Sequence, residues 1–67
     1  MARIPKPQFH RGDRVRLRAP YGSLGAGASG VVLEVFWSAE QCTVDFGDGT
    51  VAVVPWRLLD LLSREFK

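Results

Sequence analysis

The chain has a single cysteine, a single histidine, and no apolar stretch long enough to cross a bilayer. Each shortage excludes a class of function. Cys42 alone cannot form an internal disulfide or a multi-cysteine metal site. His10 and Cys42 together fall short of the three or four ligands that a zinc centre needs. The opening residues, MARIPKPQF, lack the apolar core of a signal peptide. The expectation is therefore a cytoplasmic protein with no membrane partner. No serine sits in a nucleophile elbow, since Ser23, Ser29, Ser38 and Ser63 fall in loops or the tail. Asp45, Asp48 and Asp60 do not follow the twelve-residue pattern of a calcium loop. Gly25 to Gly30 matches G-x-G-x-x-G letter for letter, but the strand-like VVLEVFW follows it instead of a helix N-terminus. No catalytic residue, metal or cofactor is assigned on these grounds.

What is present is a short globular chain. Its 67 residues make one domain, 46% hydrophobic and 24% charged. A chain of this size buries only about 60% of its unfolded surface, so a compact fold, a partner or self-association is needed. Charge is unevenly placed. Residues 1–30 hold six cations against Asp13, a balance of +5, while residues 31–67 hold three cations against six carboxylates, a balance of −3. Such asymmetry guides an acidic partner or favours head-to-tail self-contact.

The pattern along the chain is that of short strands. Residues 1–8 read as a solvated arm, since Pro5 and Pro7 deny it a helix. Gly12-Asp13 marks a turn. Arg14-Val15-Arg16-Leu17-Arg18 then alternates strictly, with two apolar residues on one face and three arginines on the other. The stretch YGSLGAGASG has too many glycines for helix or regular strand and reads as a long loop. Gly30 to Trp37 is a second strand and Cys42 to Phe46 a third, with Val44 and Phe46 inward and Thr43 and Asp45 outward. Asp48-Gly49 is a hairpin turn into a fourth strand, Thr50 to Val54, which Pro55 ends. Trp56 to Leu58 fits one 3₁₀ turn, and Leu59 to Leu62 a fifth strand closing the sheet. The spacing of Leu58, Leu61, Leu62 and Phe66 leaves a short helix over 56–66 as an alternative. The expected fold is all-β: a five-stranded SH3-like barrel over residues 9–62, with a 3₁₀ turn before the last strand, an arm at 1–8 and a tail at 63–67.

Two segments carry a family resemblance. Phe9 to Arg16, F-x-x-GDRVR, resembles the opening of the barrel in plasmid-borne type II dihydrofolate reductases. Val51 to Leu59, V-x-V-x-P-x-x-x-L, falls where that family carries Val-Gln-Ile-Tyr before a proline. The resemblance implies four barrels around one pore in which NADPH and dihydrofolate meet. The chain departs from it at the residues that bind. Ala52 stands at the glutamine, Val54 at the tyrosine and Leu17 at the lysine of the family. A methyl group offers neither donor nor acceptor where an amide served two ligands. The opening "GDRVRL" is also similar to barrels that accompany redox enzymes, such as the variable chain of ferredoxin–thioredoxin reductase and the nitrile hydratase β chain. Those relatives imply an accessory role.

Two surfaces are candidates for binding. The arginine stripe Arg14, Arg16 and Arg18 suits an acidic partner, or pairs across the sheet with Glu34 or Asp45. Tyr21 and Trp37, at loop edges, suit a peptide groove. Apolar residues also fall in the wrong phase. With Val51 and Val53 inward, Ala52 and Val54 turn out; with Val31, Leu33 and Val35 inward, Val32 and Phe36 turn out. Val32, Phe36 and Val51 to Val54 are therefore the expected self-contact or pore face, unless a bulge shifts the phase. The reading is a binding module that self-associates, with a homotetrameric NADPH-dependent reductase as the first alternative and an RNA-binding barrel as the second.

Overall fold

The computed structural model describes residues 9–63. The arm at 1–8 and most of the expected tail, 64–67, lie outside the described residues, as does Phe66 of the alternative helix. Five strands and one 3₁₀ turn follow in order: β1 (Arg14–Leu17), β2 (Ser29–Phe36), β3 (Gln41–Gly47), β4 (Thr50–Pro55), η1 (Trp56–Leu58) and β5 (Leu59–Ser63). The protein is all-β, and the described residues from Trp56 onward form the turn and strand rather than a helix. β5 takes in Ser63, one residue beyond its expected end.

All five strands belong to one antiparallel sheet in the order β4-β3-β2-β1-β5. The sheet is barrel-like but open. β5 pairs with β1, and among the described residues no ladder joins it to β4. The expected closure at the fifth strand is thus absent, and β4 and β5 are both edges. The route between them is short: Pro55 ends β4 in an extended conformation, η1 turns the chain, and the Trp56 N–H donates to the Glu40 carbonyl at 2.8 Å.

Period two builds the core. Val15 and Leu17 of β1 are buried while Arg14 and Arg16 are exposed. Cys42 and Val44 of β3 join Phe9, Val32, Val54, Trp56 and Leu59 to complete the apolar interior. The glycine loop between β1 and β2 is tied down by its backbone. The Leu17 N–H donates to Ala28 O at 2.8 Å, and Tyr21 and Leu24 exchange bonds of 2.9 and 3.0 Å.

Two bulges set the phase of the outward residues. β3 pairs with β4 as Asp45↔Val51 and then Gly47↔Thr50, so Phe46 is an extra residue on the β3 side. That one residue slips the hairpin by one. Val44 faces Ala52 and Cys42 faces Val54, which carries Ala52 and Val54 inward and leaves Val51 and Val53 outside. The expected phase of β4 is therefore reversed. β2 has a similar break between Val32 and Glu34. Val32 lies opposite Val44 and Val35 opposite Cys42, so Val31, Leu33 and Glu34 turn to solvent. Val32, expected on the outer face, is core.

Gly30 sits where β2 runs close against β3. A Cβ there would collide with the Asp45 carbonyl oxygen and lie 2.8 Å from Val44 Cγ1. Both are constrained, one as backbone and the other as a buried core side chain. We expect Gly30→Ala to cost about 1–3 kcal/mol, as overpacking does. Urea denaturation checks this, with a lower midpoint at unchanged slope. A midpoint equal to wild type would mean the two strands are not this close.

Candidate functional site: the outer face of the sheet

The outer face is organised as columns, one per strand. β1 contributes Arg14 and Arg16, with Arg18 just beyond its end. β2 contributes Val31, Leu33, Glu34 and Phe36. β3 is polar, with Gln41, Thr43 and Asp45, and β4 is apolar, with Val51 and Val53. The register aligns these into rows: Arg14, Val31, Asp45 and Val51 in one, Glu34, Thr43 and Val53 in the next, Phe36, Gln41 and Pro55 in the third. Val31, Leu33, Phe36, Val51 and Val53 are each between 38% and 52% exposed, an unusual share for large apolar side chains on so small a domain.

The arginine stripe is largely engaged, though not by the expected residues. Asp60 of β5 stands beside Arg16 in the β1–β5 register. Its carboxylate lies 3.2 Å from Arg18 Nε and 3.7 Å from Arg16 Nη2. Arg18 Nη1 also donates to the Arg57 carbonyl at 3.4 Å. Asp45 is occupied locally, accepting from the Gly47 N–H at 2.9 Å in the hairpin. Arg14 sits on the row of Asp45 with Val31 between them, about two strand spacings or ~10 Å away, and no ion pair joins it to a described residue. Asp60 was not among the expected partners, because no local pattern links positions 16 and 60; only the β1–β5 pairing does.

Tyr21 and Trp37 do not share a groove. Tyr21 packs partly into the core from the glycine loop. Trp37 stands at the β2–β3 turn, its ring set edge-on against Trp56 at 5.1 Å, and lines an open cleft of about 380 Å³ with Phe9, His10, Glu34 and Val35. Ala52 and Val54, the positions aligned with the reductase motif, lie inward against Val44 and Cys42.

One polar feature of the interior was not anticipated. Asp13 is fully buried, and its carboxylate accepts from the His10 N–H at 2.9 Å while its own N–H donates to His10 O at 3.1 Å. These bonds close the turn at Gly12, whose φ of 92° only glycine adopts readily. His10 is part of this turn. Cys42 is buried. Burial pushes its thiol above the usual range; the indole N–H of Trp56 on one side opposes the shift, and the negative charge of Asp13 adds to it. That N–H is itself buried without meeting full hydrogen-bond geometry to any described group. Among the described residues no three His, Cys, Asp or Glu side chains are placed to hold a metal, and no helix is long and apolar enough to cross a membrane.

No protein-family model, curated protein or solved structure matches the chain.

Two outcomes test this geometry. Removing the Asp60 charge frees Arg16 and Arg18, so Asp60→Asn should be retained longer on a heparin column than wild type. Its stability should change by no more than about 1 kcal/mol, as for exposed ion pairs. Unchanged retention would mean the arginines are not held by Asp60. For Cys42, the folded state holds the thiol proton more tightly than the unfolded chain does. Stability from this source is therefore full below the unfolded thiol pKa, about 8.5, and falls as the pH rises through and beyond it. The stability gap between wild type and Cys42→Ala should narrow from pH 7 to pH 10, and a constant gap would contradict the assignment.

Proposed function

We propose that the chain is a small cytoplasmic binding module of SH3-like type, without chemistry of its own, which self-associates and holds an acidic partner. The observation that carries this reading is the outward placement of Val31, Leu33, Phe36, Val51 and Val53 on β2 and β4. Apolar columns of this kind lose water favourably on contact, and a domain this small gains from burying more of its surface. The acidic partner is drawn first to Arg14, which Asp60 does not neutralise, and then to Arg16 and Arg18 in competition with Asp60.

The reductase alternative has little to build on. Its pore would need the side chains at 52 and 54, and here both are apolar and turned toward the core. An RNA-binding role also finds less support, because two of the three stripe arginines already share a carboxylate.

Light scattering tests the reading. Wild type should exceed the 7.4 kDa of one chain as concentration rises. Val31→Glu combined with Val51→Glu should return it to the monomer while leaving the fold intact by circular dichroism. A wild type monomeric at every concentration would remove self-association. Steady NADPH-dependent turnover of dihydrofolate by the concentrated protein would replace the whole reading with the reductase.

A further inference from the structure

The sheet has two edges that no other described strand pairs with, and their guards are few: Pro55 at the end of β4 and a one-residue bulge at Leu62 on β5. Edge strands are usually protected by charges, proline, bulges or a covering segment. β4 carries no charge from Thr50 to Val54, and its only proline comes at the end. β5 has one charge, Asp60, and that is turned toward Arg16 and Arg18 of the neighbouring strand. Both edges expose apolar side chains: Val51 and Val53 on β4, Leu61 and Leu62 on β5. Among the described residues neither edge is covered by another strand.

Charge biases how two copies would meet. Acidic groups flank β4: Asp45 on β3 and Asp48 in the hairpin turn. Basic groups flank β5: Arg14 and Arg16 on β1 and Arg18 just beyond it. A β4-to-β4 contact sets acid near acid. A β5-to-β5 contact sets arginine near arginine. Only β4 against β5 brings opposite signs together. In that joint sheet Asp45 and Arg14 of the next copy stand about three strand spacings apart, roughly 14 Å, so the charges steer approach more than they bind. Backbone hydrogen bonds and the four apolar side chains supply the hold.

We propose that the chain assembles head to tail, the β4 edge of one copy adding to the β5 edge of the next. The proposal rests on the self-association reading above and specifies its geometry. Such a contact is heterologous, so it propagates until a ring closes or a filament grows.

The experiment uses the full 67-residue chain. Val53→Lys guards the β4 edge and Leu62→Lys guards the β5 edge; both sites are solvent-exposed, and near-ultraviolet circular dichroism of the tryptophans checks that each variant folds. Each variant alone should be monomeric by light scattering. An equimolar mixture should form a pair of twice the monomer mass, because one partner keeps its β4 edge and the other its β5 edge. A mixture that stays monomeric overturns the proposal. So does an outcome in which Val53→Lys dissociates the assembly and Leu62→Lys does not, which would indicate a two-fold β4 contact or an outer-face contact through Val53. If wild type associates and neither variant weakens it, the outer face rather than the edges holds the copies, and only this inference fails. A wild type that never associates removes both readings.

Discussion

The one-residue slip at Phe46 decides which side of β4 meets water. Gly47, Asp48 and Gly49 all take positive φ, at 93°, 54° and 77°. A two-residue turn of this kind normally joins strands in simple register. With Phe46 as an extra residue, every side chain of β4 changes face. Val54 becomes a core residue opposite Cys42, and Ala52 turns inward opposite Val44. The same slip leaves two valines on the outer surface of a strand that, among the described residues, has a neighbour on one side only. The core, the apolar outer column and the character of the free edge therefore share one cause.

The open sheet follows from how few residues the chain can spend. Among the described residues nine apolar side chains and one carboxylate form the buried set. Closing the cylinder would require β4 and β5 to run side by side, yet only η1 separates them in the chain. Three residues turn the chain but leave the two strands on opposite margins. Trp56 then serves as the floor between them, with Phe9 at 6.0 Å and Trp37 at 5.1 Å. An aromatic cluster at one end and two unpaired edges at the sides are consistent features of a domain too small to enclose itself.

Strand positions were legible because local alternation and turn chemistry carry them. Arg14 to Leu17 alternates, Asp48-Gly49 turns, and Pro55 stops a ladder, all from the residues themselves. The facing of β2 and β4 was not legible, because it depends on bulges that leave no residue signature: Leu33 and Phe46 are ordinary strand formers. The site suffered from the same limit in another form. The arginine stripe could be seen, but its counter-ion lies 44 positions on, brought alongside by the β1–β5 register. Tyr21 and Trp37 were joined in expectation by residue type, and the fold sends them to different places.

Asp60 shows how the two edges of the molecule come to differ. On an edge strand a lone carboxylate would ordinarily repel a second chain or stay hydrated. Here two guanidiniums on the adjoining strand draw it inward along the face, at 3.2 and 3.7 Å. Exposed pairs of this kind add little to stability. Their consequence is instead electrical. They cancel the only charge on β5 and leave a surplus of positive charge one strand away, while β4 keeps acidic neighbours and no charge of its own. A net charge of only +2 thus conceals a polarity between one margin of the sheet and the other. Composition alone does not reveal that polarity, because it arises only once β5 is laid against β1.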